Sequence, residues 1–241
     1  MVYRTDLHIH SCLSPCGSLE LPPSEIARLL AARGVQVAAL TDHNTALNCP
    51  AFAKACSAHG IVPLFGMEAQ TQEECHILCL FGCLEAALAF SGEIYTLLPP
   101  VRNQPEKTGD QVYVDEEDNI LGEVEKYLIT CADLDIFQLA EKVHAAGGAV
   151  IPAHAERPAF SLSSQLGFIP EGPWDAVEVV RLPPSADTKG YPLTVSSDSH
   201  YPEHVARRTF LLDTADESLT GADGTVDMDV FKRALARCPR G

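Results

Sequence analysis

Six of the nine histidines in this 241-residue chain stand beside carboxylates or just past short apolar runs. His8 and His10 alternate in Asp6-Leu7-His8-Ile9-His10, so on an extended segment both side chains face one side. Asp42 and His43 follow the apolar run Val35–Leu40. Glu68 follows Ile61–Phe65, and His76 comes eight residues later, which leaves room for a turn and a return strand over Cys75–Phe81. His154 follows Ala149–Pro152, and Asp198 and His200 follow Leu193–Val195. Each signal alone is weak. A lone histidine is more often a hydrogen-bonded core residue, and an aspartate at such a place is often a helix cap. Gathered at one edge, however, these groups would leave imidazoles unpaired and carboxylates repelling unless a cation sat among them. Imidazole with carboxylate suits zinc, manganese or iron, and not calcium. A divalent metal site is therefore expected. His59, His144 and His204 lack that setting and are expected to lie outside it.

The elements that must carry these residues are legible. The apolar runs named above, with Ala176–Val180 ending at Arg181, are short and nearly uninterrupted, as in a parallel sheet covered on both faces. Helical stretches separate them. Ser24–Arg33 follows Pro22-Pro23 and stops at Gly34, and Pro50–His59 stops at Gly60. Leu84–Leu98 precedes Pro99-Pro100, Leu134–Ala146 ends at Gly147-Gly148, and Val230–Ala236 is the last helix. Strand–helix alternation means an α/β fold, and in such folds sites are built at the C-terminal ends of the strands. Residues 101–132 break the rhythm. Val112-Tyr113-Val114, a turn at Asp115–Asn119 and Ile120-Leu121 read as an inserted hairpin or arm.

Composition limits the partners. Hydrophobic residues make up 46% and charged residues 21%, ordinary globular usage, and 241 residues suit one sizeable domain. The net charge of −16, from 17 basic and 33 acidic side chains, disfavours long nucleic acid but not a small anionic substrate at a local cationic site. No stretch is apolar enough for a membrane span or a secretory signal, so a cytoplasmic location is expected. The nine cysteines read as reduced thiols, with Cys75, Cys79 and Cys83 taken as small core residues.

The ordered set His8/His10, Thr41-Asp42-His43, Gly66-x-Glu68, His76, Pro152-Ala153-His154 with Arg157, and Ser197-Asp198-x-His200 resembles the PHP (polymerase and histidinol phosphatase) family over nearly the whole chain. The resemblance implies a distorted seven-stranded (β/α) TIM-like barrel with two or three divalent ions at its C-terminal mouth. Residues 1–241 would then form a single metallohydrolase domain, with the arm at about 101–132 inserted in it. By the same resemblance His8, His10, Glu68 and Asp198 hold one ion. Glu68 bridges to a second, shared with His76 and His154, and His43 and His200 hold a third. The family's remaining position is usually His or Asp and here falls on Cys16, a softer donor for zinc or iron.

The activity implied is hydrolysis of a small phosphoester by a hydroxide bridging the metals. Arg157, just past a strand end, is the expected phosphate binder and Arg181 the second candidate. Asp42 is expected to orient a ligand or take a proton, and His200 is a candidate proton carrier. The loops at 13–21, 44–49, 101–132 and 157–173 are expected to set specificity. Two other readings stay open. An amidohydrolase-like enzyme would turn the same hydroxide on an amide or lactone carbon, although no lysine stands at the expected mouth. A non-enzymatic accessory PHP module would have lost several of these ligands.

Overall fold

The computed structural model describes residues 1–241. The chain opens with β1 (Val2–Asp6), α1 (Pro23–Ala32), β2 (Val37–Leu40), α2 (Cys49–His59), β3 (Val62–Gln70) and β4 (His76–Phe81). Then come α3 (Leu84–Leu97), the single turn α4 (Pro105–Thr108), a hairpin of β5 (Val112–Val114) and β6 (Ile120–Glu123), and α5 (Ile136–Ala145). The last part holds β7 (Ala149–Pro152), α6 (Leu162–Leu166), β8 (Val177–Glu178), β9 (Leu193–Thr194), β10 (Phe210–Asp213) and α7 (Met228–Leu235).

One curled sheet runs β10-β1-β2-β3-β4-β7. The strands β1, β2 and β3 are parallel, and β4 lies antiparallel between β3 and β7. Hydrogen bonds from Asp175 N to Val150 O (2.9 Å) and Ala155 N to Glu178 O (2.8 Å) carry the ring on to β8, which pairs in parallel with β9. Beyond β9, Asp198 N bonds His8 O (2.9 Å) and His10 N bonds Ser199 O (3.0 Å), just past the end of β1. The strands thus close into a distorted TIM-like barrel. The antiparallel strand β10 fills the lower half of the same edge of β1.

Alternation along the strands divides the core in two. Val37, Ala39, Leu64, Leu78, Leu80 and Ile151 point inward and pack with Phe231 and Leu235 of α7, which plugs the floor of the barrel. Their neighbours Ala38, Leu40, Ile77, Cys79 and Val150 point outward against Ile26, Leu30, Phe52, Ile94 and Leu139 of the surrounding helices. The helix α7 starts where the Asp227 carboxylate accepts from Asp229 N and Val230 N, and α5 starts in a capping box made by Asp135 and Gln138. Of the cysteines expected in the core, Cys75 and Cys79 are buried and Cys83 is partly exposed.

Three observations differ from the reading of the sequence. The strand expected to stop at Phe65 continues to Gln70, because Phe65–Gln70 pairs residue for residue with His76–Phe81. Glu68 therefore sits within a strand rather than after one. The short strand β10 was not anticipated, since Phe-Leu-Leu-Asp carries no pattern longer than four residues. His8 and His10 follow β1 rather than lying in it, in an extended segment held by the bridge of Ile9 to Ser199. The hairpin lies where the sequence placed it, its turn held by the Asp115 carboxylate accepting from Glu117 N and Asn119 N. No helix is long and apolar enough to cross a membrane.

The β3–β4 contact is tight at Gly66, where an added Cβ would fall 2.0 Å from Cys79 O. Backbone cannot give way there as a side-chain tip can. Gly66→Ala is expected to destabilise the fold by about 2 kcal/mol or more, read by chemical denaturation. A wild-type midpoint would mean that the two strands lie further apart than described.

Candidate metal centre and the adjoining cleft

At the C-terminal mouth of the barrel the expected residues converge. The Nε2 atoms of His8 and His10 lie 3.1 Å apart. Glu68 reaches His8 (3.2 Å), His10 (3.3 Å), His43 (3.2 Å), His76 (2.9 Å) and His154 (2.9 Å). Asp198 Oδ1 is 3.5 Å from both His8 and His10, and the His200 ring stacks on His10 with centroids 4.1 Å apart. Three groups place all their donor atoms within 4.8 Å of one another: His8 with His10 and Asp198; His43 with Glu68 and His76; His10 with His43 and His200. Cys16 belongs to none of these groups and is exposed.

The surroundings fix which nitrogen is free. A carboxylate only accepts, so His8 donates Nδ1–H to Glu178 (3.0 Å). The Ser14 hydroxyl gives its proton to Asp42 (2.7 Å) and so accepts from His10 Nδ1 (2.9 Å). Both Nε2 atoms are left facing one another and the carboxylates. Either they share a proton or they face a cation. His43 Nδ1, His76 Nε2, His154 Nδ1 and Asp198 Oδ1 are buried without a hydrogen-bond partner. The three groups, with nitrogen and oxygen donors mixed within 4.8 Å, fit divalent transition metals.

The charges say the same. Burial works against charge on His8, yet Glu68, Glu178 and Asp198 hold its pKa well above the usual histidine value. Burial would raise Glu68, but the imidazoles of His76, His8 and His43 hold it well below the usual carboxylate range. Burial, reinforced by His10, pushes His200 down to about 3, and burial also lowers the pKa of His43 and His154. The carboxylates create a demand for positive charge that only part of the histidine set can meet.

Several other residues shape the centre. Buried Asp42 accepts from Ser11 N (2.7 Å), Ser11 Oγ (2.7 Å) and Ser14 Oγ (2.7 Å). Through Ser14 the carboxylate is linked to His10 Nδ1. Asp6 accepts from Ser197 N (2.9 Å) and Ala206 N (3.2 Å), steadying the loop that carries Asp198, and burial pushes its own pKa up to about 6. Phe160 stacks on His76, with centroids 4.9 Å apart and planes 10° apart. His154 (φ 29°), Phe160 (φ 55°) and Asp198 (φ 48°) are held in left-handed backbone, which costs side-chain-bearing residues of order 1 kcal/mol or more each. His144 instead bonds Asp175 (2.8 Å), and His204 packs against Tyr201.

A cavity of about 450 Å³ adjoins the centre, lined by His154 and Asp198 and by Arg157, Arg181, Arg207 and Arg208. Arg157 donates to Asp198 Oδ2 (3.0 Å), which turns Oδ1 toward the histidines. Arg207 and Arg208 donate to backbone carbonyls of Ser196, Ser197 and Val180. Glu156 also lines the cavity, but its carboxylate is taken up by Ser185 and Ala186. Sequence reasoning missed Glu178, Ser14, Arg207 and Arg208. An acid inside the apolar run Ala176–Val180 was a usable signal for the first. The paired arginines shortly after Asp198-x-His200 were a signal for the last two.

The description that matches the chain is the PHP domain, over residues 6–140. The chain belongs to the PHP family. No curated protein matches it. Among solved structures, endonuclease Q in complex with a 27-mer duplex carrying an abasic lesion aligns at TM-score 0.62 with 17% identity, over 98% of this chain and 56% of that one. The lesion-specific endonuclease Q of Pyrococcus furiosus aligns at 0.59 with 19% identity, over 90% and 54%. This chain thus spans little more than half the length of those enzymes. A Bifidobacterium adolescentis protein assigned as a metal-dependent phosphoesterase aligns at 0.56 with 17% identity, over 98% and 96%. These likenesses are likenesses of fold.

Removing bound metal with a chelator is expected to lower the melting temperature, and adding back manganese or zinc to restore it. Glu178→Gln should weaken metal binding about tenfold by titration calorimetry, because it loosens the grip on His8 Nδ1. Wild-type affinity in that variant would remove Glu178 from the support of the centre.

Proposed function

We propose that the protein hydrolyses a small phosphoester, a phosphomonoester or nucleotide-type phosphate, at a centre of two or three divalent ions. One observation supports this reading most. Two of the metal-type donors, His154 and Asp198, line a cavity that four arginines also line, in a chain whose net charge is −16. Such a chain has no general reason to concentrate cations, and a planar guanidinium matches two phosphate oxygens.

The proposed ligands are His8, His10, His43, Glu68, His76, His154, Asp198 and His200. Zinc, manganese or iron suit that set. The chemistry such ions supply is acidification of water for attack on phosphorus and neutralisation of the phosphoryl oxygens. The protein's own groups do the rest. Glu178 and Ser14 hold His8 and His10 in the tautomer that presents Nε2. Arg157 donates Nε–H to Ala159 O and Nη1–H to Asp198 and lines the cavity, so it aligns a ligand while its remaining N–H groups meet the substrate phosphate. Arg181 has no carboxylate partner and is the freest cation facing the cavity. The Phe160 ring shields one face of His76. His200 gives Nδ1–H to the Asp198 carbonyl (3.2 Å) and stays neutral, so it serves as an electron-pair donor rather than as the leaving-group acid. Cys16, standing outside the donor groups, is left out of the proposed set.

Cavity size and overall charge favour a small substrate over duplex nucleic acid. The endonuclease Q chains extend far beyond the part aligned with this one.

The test is a panel of aryl, sugar and nucleotide phosphates, beside an abasic-site duplex, with manganese or zinc added. Turnover of one or more small esters is expected. Arg181→Ala should raise KM roughly tenfold with little change in kcat. Metal-loaded protein that turns over none of the esters would sink the phosphoesterase reading, and cleavage of the duplex alone would sink the small substrate.

A further inference from the structure

The hairpin β5–β6 lies beyond direct reach of the metal-type donors, yet an unbroken hydrogen-bond chain joins the two. Val114 N donates to Asn48 Oδ1 (2.9 Å). That contact settles the orientation of the Asn48 amide, because a backbone N–H can only meet the oxygen. Asn48 Nδ2 donates to Ser11 Oγ (2.9 Å), whose hydroxyl donates to Asp42 Oδ2 (2.7 Å). Asp42 Oδ1 accepts from Ser14 Oγ (2.7 Å), and Ser14 accepts from His10 Nδ1 (2.9 Å). Every residue along the chain is buried, Asn48, Ser11, Ser14 and His10 completely so. In a dry setting each bond depends on its neighbours, and a broken one strands a polar group.

The hairpin is docked at the same place by packing. Val112 and Val114 pack with Cys12 and Ala51. Gly109 (φ 94°) lies so close to the 11–17 loop that an added Cβ would fall 2.1 Å from Pro15 O. The helix α2, which begins just after Asn48, needs no side-chain cap from it, so the amide is free for this task.

We propose that Asn48 is a positioning residue that ties the hairpin to His10, so that docking of the hairpin sets how tightly the centre holds metal. The proposal rests on the reading of His10 as a ligand. Through this chain the hairpin decides whether His10 Nδ1 stays a donor and whether Nε2 keeps facing Glu68 and Asp198.

Cobalt(II) is the probe, read by its visible absorption and by titration calorimetry, with circular dichroism and thermal melts to establish folding. Asn48→Ala should raise the cobalt dissociation constant about tenfold or more and change the absorption bands. Asn48→Asp keeps the size and the acceptor for Val114 N but loses the donor to Ser11, and should do the same in a folded protein. Gly109→Ala, which pushes the hairpin off from outside, should shift the bands in the same direction. Combined with Ser14→Ala, the Asn48→Ala loss should be less than additive, since both act through one chain. Folded Asn48 and Gly109 variants that bind cobalt as the wild type does, with unchanged bands, would overturn the proposal and leave the metal centre standing. So would strictly additive losses. A wild-type protein that binds no divalent ion at all would overturn the reading of His10 as well.

Discussion

The interaction on which the rest depends is the concentration of negative charge inside the mouth of the barrel. Glu68 and Glu178 are buried almost completely and Asp198 nearly so, within reach of the same histidines. Removing three carboxylates from water is costly, and three together repel. Neutral imidazoles solvate such a group but do not balance it. The fold accepts this cost at one place and arranges the surroundings for it: the His154 amide on Glu178, left-handed backbone at His154 and Asp198, and arginine fastening the Asp198 loop. Nothing comparable occurs in the purely apolar floor beneath, where α7 fills the barrel.

Arginine serves two purposes in that arrangement. Arg208 spends three nitrogens on carbonyls of Val180, Ser196 and Ser197, and Arg207 holds Ser197. Both still face the cavity. A guanidinium can do this because its donors lie in a plane with open faces and its charge is not cancelled by a carbonyl. A lysine would meet one demand or the other.

Much of this was legible in the residues. The strand Ala149–Pro152 and the helix Pro50–His59 match their elements almost to the residue, since turn-forming or helix-starting residues mark their ends. The donors from His8 to His200 could be picked out because acids and histidines stand out after apolar runs. What stayed hidden is what depends on neighbours distant in sequence. Pairing with β4 carries β3 past Phe65 to Gln70, and no local pattern announces that. The Glu178 carboxylate is explained only once His8, 170 residues away, lies 3.0 Å from it. Cys16 stood at a plausible position in the sequence, yet the loop leaves it exposed and outside the donor groups. Ser14 looked like an ordinary loop serine because its function is to connect two other residues.

The closing seam of the barrel joins the segment around His8 to the segment around Asp198. One corner of the pocket, the group of His8, His10 and Asp198, therefore exists only once that seam has closed, whereas His43, Glu68 and His76 come together at the neighbouring strands β2, β3 and β4. Such long-range closure is intrinsically slow. That corner of the pocket is thus complete only in a fully wound barrel.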